Sequence, residues 1–288
     1  MTITTLDVRG DGSPVPAGVD TPAGRGRGAG AGALVTTAQV ADRTVRKFVR
    51  TPQLIVLSTI QGAMFLLIFR YVFGGAISAG GVPYVDFMVP GFVVTGVLFS
   101  GMNTAAGVAE DLEQGFFDRL RSLPVPRTAL LAGRAVADTG LLTWSLAVTT
   151  AIGFLVGFRY GGTGAEALAA FGLCAVFGFA FVWMFVCMGL VAGTAQAAQG
   201  MSMLVFPLTF VSSAFVPIDT LPGWMQPVAH HQPVTAMTDA VRSLALGDPA
   251  AAGLSGSTTH YVVIALLWSA GLVALFAPLA LARYRRSS

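Results

Sequence analysis

Few residues of this chain could do chemistry, and their spacing argues against most of it. A phosphate-cradling loop needs Gly-x-x-x-x-Gly-Lys, yet the only lysine, Lys47, follows Arg46, so the chain has no such loop with which to bind ATP. Cys174 and Cys187 lie 13 residues apart in one apolar run. On a helix that is about 20 Å, beyond disulfide reach, so both read as packing residues. His230, His231 and His260 form no i, i+4 pair, and no HExxH or CxxC accompanies them, which argues against a zinc-type site. A membrane enzyme would need convergent groups, and His230 and His231 with Asp219 or Asp239 are the only candidates. The expectation is no catalytic residue, no metal and no cofactor in this chain.

The polar residues inside apolar runs are the next candidates, because such groups are costly in lipid. Arg134 and Asp138 stand at i, i+4 spacing, which gives either an internal ion pair or a conformational latch, with the ion pair favoured. Gln61 and Asn103 could touch a transported molecule or bridge helices through side-chain hydrogen bonds, the second being the plainer role. There is no chain of buried carboxylates of the kind that relays protons. If the protein pumps, its energy comes from another subunit.

What must position these residues follows from composition. Of 288 residues 54% are hydrophobic and only 11% charged, with a mean hydropathy of +0.72; soluble domains carry about 25% charged residues. Four charge-free runs, Phe87 to Ala109, Thr139 to Phe158, Ala167 to Ile218 and Pro249 to Ala282, each reach the roughly 20 residues that cross a bilayer. The third is 52 residues long, about 78 Å as one helix, and must hold two spans, with Gly193 to Gly200 as the hinge. The fold class is therefore an all-α integral membrane protein with six transmembrane helices: Leu54 to Phe73, Phe87 to Val108, Ala129 to Phe158, Ala167 to Gly193, Met201 to Ile218 and Tyr261 to Ala282. Residues 1–35 read as a disordered arm rich in Gly and Pro rather than a signal peptide, and 36–288 as the membrane domain.

Basic residues near the span ends give the orientation. Arg43, Arg46, Lys47, Arg50, Arg119, Arg121, Arg127, Arg134, Arg283, Arg285 and Arg286 fall on one side against Arg70, Arg159 and Arg242 on the other, which makes both termini cytoplasmic. Thr37 to Thr51 forms an amphipathic helix with Phe48 on its apolar half and Arg43, Arg46, Lys47 and Arg50 opposite, suited to anionic lipid; a solvated basic linker is the alternative. Pairs such as Gly153/Gly157 and Gly189/Gly193 permit close helix approach. Phe171, Phe177, Phe179, Phe181, Trp183 and Phe185 surround the fourth span and read as facing lipid and neighbouring helices.

Two connections carry character. The cytoplasmic one begins with Glu110, Asp111 and Glu113, passes Gly115, Phe116 and Phe117, and ends with Arg119, Leu120 and Arg121 before Pro124 and Pro126. Acid first and base last is the order a helix dipole favours, so Ala109 to Leu123 is expected as a separate helix with Leu112, Phe116, Leu120 and Leu123 on one face. It rests on lipid or fills a groove in a partner, and its acidic start favours the partner. The outer one, Pro217 to Thr259, holds Pro217, Pro222, Trp224, His231 and Pro233, and Thr235 to Leu246 looks helical. A re-entrant or interfacial hairpin with Trp224 at headgroup level, or a structured loop, fits this composition.

Val85-Asp-Phe-Met-Val-Pro-Gly91, the stretch from Glu110 to Arg127, and Phe215-Val-Pro-Ile-Asp-Thr-Leu-Pro-Gly-Trp224 followed by His231-Gln-Pro-Val234 resemble type-2 ABC exporter permeases of the daunorubicin/doxorubicin-resistance kind. The likeness runs from about Thr36 to Arg286. It implies a permease of the plasma (inner) membrane that pairs with a second permease copy or homologue and recruits two ABC ATPase subunits, which bind the ATP and Mg. It further implies an interface helix at Thr37 to Thr51, a coupling helix at Ala109 to Leu123 and outer re-entrant helices over Pro217 to Leu246. Membrane lipid and an amphipathic drug or lipid substrate are the implied partners, nucleic acid is not, and the complex would be an ABC-type translocase. Export of a glycolipid or polysaccharide precursor is the alternative in the same fold, and a non-transporting membrane scaffold the alternative outside it.

Overall fold

The structure, a computed structural model, describes residues 60, 62–75, 82–115, 127–248 and 253–286. The arm, the amphipathic segment with Arg43, Arg46, Lys47, Phe48 and Arg50, and Gln61 fall outside them, as do Phe116, Phe117, Arg119 and Leu120. Among the described residues the regular elements are helices: α1 (Gly62–Val72), α2 (Tyr84–Glu113), α3 (Arg127–Val156), α4 (Gly164–Ala192), α5 (Ala195–Ser202), α6 (Phe206–Phe210), α7 (Gln226–His230), α8 (Pro233–Leu246) and α9 (Thr258–Arg286). Four of them, α2, α3, α4 and α9, are long and apolar enough to cross a bilayer.

α2 and α4 form the centre. Their most apolar windows are 72% and 67% buried, against 17% for α3 and 11% for α9, so α3 and α9 are the outer staves. Of the α4 aromatics expected to face lipid and neighbouring helices, Phe177, Phe181, Trp183 and Phe185 are buried within the bundle. An evenly apolar helix carries no directional signal: most of α4 packs within the bundle, while Leu168, Val176 and Val191 stay exposed. α4 starts at a capping box, in which Glu166 N donates to Thr163 Oγ1 at 3.3 Å and Thr163 N to Glu166 Oε2 at 2.6 Å. It stops at Gly193, whose φ of +76° suits a residue without a Cβ.

The spacing of small residues is used unevenly. Gly153 faces Val89 and Gly189 faces the Ala105 carbonyl, where added side chains would collide, whereas Gly157 and Gly193 terminate their helices. α2 likewise offers three bare seats: Gly91 to the Ala214 carbonyl, Gly101 to the Phe185 ring and Gly107 to the Arg134 guanidinium.

The expected fifth span, Met201 to Ile218, is displaced and broken. Thr194 caps a helix that begins at once, Ala197 N donating to Thr194 Oγ1 at 3.2 Å, so the hinge shrinks to Gly193 and Thr194. The Ala/Gln stretch that resembled a hinge for want of large apolar residues is made of good helix formers. The helix then tightens into a 3₁₀ turn at Met203–Val205, resumes as α6 ahead of Pro207, and gives way to turns after Phe210. A proline has no N–H to continue the ladder, which fits the break. This segment follows α2 along its length: Ala195 N donates to Glu113 Oε2 at 3.4 Å, Phe206 meets Phe99, and Ala214 crosses Gly91.

Candidate functional site

Two polar knots sit at opposite ends of α2. At the Glu113 end, Arg134 on α3 donates through Nε to Asp138 Oδ2 at 2.9 Å and through Nη1 to Asp111 Oδ2 on α2 at 2.5 Å. Asp111 and Asp138 are 4% and 6% exposed. The i, i+4 pair read from the sequence is thus half of a clamp whose other half joins two helices, and no local spacing announces Asp111, 23 residues away. Apolar packing of Val108, Leu131, Ala135, Val182, Val186 and Leu190 with Tyr284 of α9 surrounds this end.

The separate helix expected over Ala109 to Leu123 is corrected here. α2 runs unbroken through Ala109, Glu110, Leu112 and Glu113, with Val108, Ala109 and Asp111 buried in the bundle. It ends at Gln114, whose side chain donates to Glu110 Oε1 at 3.1 Å, and Gly115 follows at φ +62°. Leu112 packs with the bundle and therefore belongs to the membrane helix, while Phe116 and Leu120 lie outside the described residues. The dipole-ordered charges suggested a helix start at Ala109, but tertiary pairing of Asp111 holds that stretch to the preceding span.

At the Tyr84 end the centre is Arg242, 1% exposed on α8. Its Nε donates to the Phe87 carbonyl at 3.0 Å, Nη2 to the Ser213 carbonyl at 2.7 Å and Nη1 to Asp239 Oδ1 at 3.3 Å. Its guanidinium lies 3.7 Å above the Phe87 ring. Ser213 Oγ donates to Asp239 at 2.6 Å, and Tyr84 Oη donates to the Phe215 carbonyl at 3.1 Å. Burial pushes the Arg242 guanidinium down to about 10, still cationic at neutral pH, while Asp239 and then Tyr84 oppose that fall. Burial lifts the Asp239 carboxyl above its ordinary range, with Arg242, Ser213 and His230 pulling the other way. Arg242, counted in the sequence as a charge near a span end, is therefore a buried tie between α2, α8 and the turn after α6. Removing it from the count leaves the imbalance of basic residues pointing the same way.

The rest of this end is closed by short connections. α8 begins at Pro233 and ends at Gly247, where Tyr160 Oη donates to the Leu244 carbonyl at 2.8 Å and Gly161 N to the Ala245 carbonyl at 2.9 Å. These donors satisfy carbonyls that a helix C-terminus otherwise leaves unpaired. Gln232 Nε2 donates to the Leu208 carbonyl at 3.1 Å and also to that of Val211, doing the same for α6. Pro217 precedes a 3₁₀ turn at Ile218–Thr220, Pro222 is exposed, His231 Nδ1 lies 2.9 Å from the Pro227 carbonyl, and Trp224 projects with 77% of its surface exposed. Asp239 is turned inward to Ser213 and Arg242, with His230 near enough to act on its charge, while His231 turns to the Pro227 carbonyl. Asn103 lies midway along α2 on its exposed face, with Gly96, Phe99, Ser100 and Ala106 half-buried beside it. It makes no side-chain hydrogen bond among the described residues.

Residues 36–246 match the family model for ABC-2 type transporters. A daunorubicin resistance ABC transporter permease protein, DrrB1 of Streptomyces coeruleorubidus, is 35% identical over 248 residues, covering 85% of this chain and 84% of the relative. A probable doxorubicin resistance ABC transporter permease protein, DrrC of Mycobacterium tuberculosis (strain ATCC 25618 / H37Rv), is 26% identical over 261 residues, 88% of each chain. A probable multidrug ABC transporter permease, YbhR of Escherichia coli (strain K12), is 25% identical over 167 residues, covering 57% of this chain and 45% of the relative. With its apolar helical bundle and a family match spanning most of its length, this chain belongs to the ABC-2 type transporter family and is a membrane permease.

Proposed function

We propose that the chain is the membrane-spanning half of an ATP-driven exporter of amphipathic drugs or lipids, working as a pair of permeases with two separate ATPase subunits. The observation that carries this reading is the extended likeness to a daunorubicin resistance permease in a chain with no nucleotide-binding lysine of its own. The available surface agrees with an amphipathic cargo. Asn103 and Ser100 supply polar groups on this face of α2, and the nearby Phe99 and Phe206 rings, 5.7 Å apart, supply aromatic area. Reconstituted with its ATPase, the protein is expected to show hydrolysis stimulated by lipophilic cations such as daunorubicin or by lipids. Stimulation by sugars or amino acids alone would overturn the substrate class, and a glycolipid precursor as the only stimulant would favour the alternative export reading.

The chain crosses the plasma membrane six times in this proposal, with both termini cytoplasmic. Support comes from the run of contacts: α1 reaches the Tyr84 end through Phe69 stacked on Phe215, and the broken α5–α6 segment spans the distance from Glu113 to Gly91. The Glu113 end faces the cytoplasm, where the 116–126 connection and the basic 43–50 segment would meet the ATPase and the lipid surface. The α7–α8 hairpin lies at the outer leaflet with Trp224 at headgroup depth. Single cysteines at Thr5 and Ser288 should react with an impermeant thiol reagent only from the cytoplasmic side, and one at Ser255 only from outside. Labelling of position 288 from outside would sink the topology.

A further inference from the structure

The Arg134 clamp joins the two ends of a single connection. Asp111 lies on the last turn of α2, which leads into residues 114–126, and Arg134 lies on the second turn of α3, which leads out of them. A side chain serving only its own helix would need Asp138 alone. Here the shorter bond, 2.5 Å, goes to the other helix, and both carboxylates are shielded from water. Gly107 leaves the guanidinium a seat on bare α2 backbone, since a Cβ there would collide with its Nη2. Thr104 of α2 adds a side-chain hydrogen bond to Asp138, so each helix carries groups that reach the other. Charge-assisted pairs of this kind fix geometry as well as adding attraction, and a planar fork gripping two carboxylates resists sliding of one helix along the other.

We infer that Arg134 is a positioning residue for energy coupling: by pinning α3 to α2 at the base of the 114–126 connection, it makes the two helices move as one when that connection is displaced. The inference rests on the reading of this connection as the ATPase contact. Without the pin, a push on the connection would be absorbed by slippage between α2 and α3 and would not reach the far end of the bundle.

The test uses the reconstituted permease–ATPase complex in vesicles, with ATPase co-purification, ATP hydrolysis and transport of a lipophilic cation such as daunorubicin measured together. Asp111→Asn takes the charge from the inter-helix arm and keeps the Arg134–Asp138 bond. It should leave ATPase binding intact while transport per ATP hydrolysed falls about tenfold, the scale of one lost bond to a charged group. Asp111→Glu, which keeps the charge, should recover most of the ratio. A second variant, Asp111→Cys with Arg134→Cys in a chain whose Cys174 and Cys187 are replaced by alanine, should be uncoupled until a short bifunctional thiol reagent bridges the pair. A normal transport-to-hydrolysis ratio in Asp111→Asn, or no recovery on cross-linking, overturns the inference. Loss of ATPase binding in Asp111→Asn overturns it too, by making the site a docking determinant. If instead the unmodified permease never bound an ATPase, the parent reading would fail and not this one.

Discussion

Replacing Arg242 with methionine is expected to cost about 3–5 kcal/mol of stability, the loss usual when one partner of a buried ion pair is removed. The change takes a donor from three acceptors at once: the Phe87 carbonyl, the Ser213 carbonyl and Asp239, which keeps the bond from Ser213 Oγ. Methionine fills much of the volume, so the loss is polar more than steric. Thermal aggregation of the detergent-solubilised permease, scored against wild type at equal expression, checks it. The pH dependence carries a sign. Burial already holds the Asp239 carboxyl above its ordinary range even with Arg242 beside it. Without the guanidinium the carboxyl rises further, and the folded variant takes up a proton that the unfolded chain releases. The variant should be most stable in acid and lose stability as pH climbs through that raised value. Arg242→Met combined with Asp239→Leu should recover part of the loss and flatten the pH profile. An Arg242→Met protein as stable as wild type at neutral pH would show that the tie is dispensable.

Phe116→Asp is expected to strip the ATPase from the complex while leaving the permease in the membrane. If the connection after Gly115 seats Phe116 in a groove of the ATPase, the substitution places an unpaired charge in a closed contact, a penalty of several kcal/mol and more than a hundredfold in affinity. The clamp and the helical bundle end before this residue, so insertion should be spared. Co-purification of the ATPase at equal permease abundance decides the matter. Full binding and full transport by the variant would make the connection a lipid-resting element.

Membrane class, the long apolar elements and the family were legible because charge-free runs and extended motif likeness need no tertiary information. α4 was bounded by its charge-free run and by Gly193, whereas the capping box at Thr163 and Glu166 that starts it is a local signal which counting charge-free residues passes over. What escaped was set by distance along the chain. Asp111 looked like part of an acidic helix start because its partner, Arg134, stands on another helix. Arg242 looked like a loop charge for the same reason, although its i, i+3 spacing to Asp239 within the apolar stretch Pro233–Leu246 was a usable hint of a buried pair. The break at Met203–Val205 was hidden because an apolar run states only that a segment is buried in lipid or protein. How the backbone passes through it depends on Pro207, on Gly91 and on the turn that must fit against it.

The Arg242 tie also bears on the order in which the protein can be assembled. Arg242 meets Phe87 across 155 residues of sequence, Phe215 meets Tyr84 across 131, and Leu244 meets Tyr160 across 84. Helices enter the membrane from the N-terminus onward during synthesis, and bonds of such separation form only after the later partner has been made. Until α8 has been made, the faces of α2 and α4 that it covers lack their partner, as do the Phe87 carbonyl and the Tyr160 hydroxyl. α8 can cover them only after its own synthesis. A chain cut short before Arg242 would keep its central helices yet stay open at one end, so completion of this permease is registered at the Tyr84 end by whether α8 has arrived.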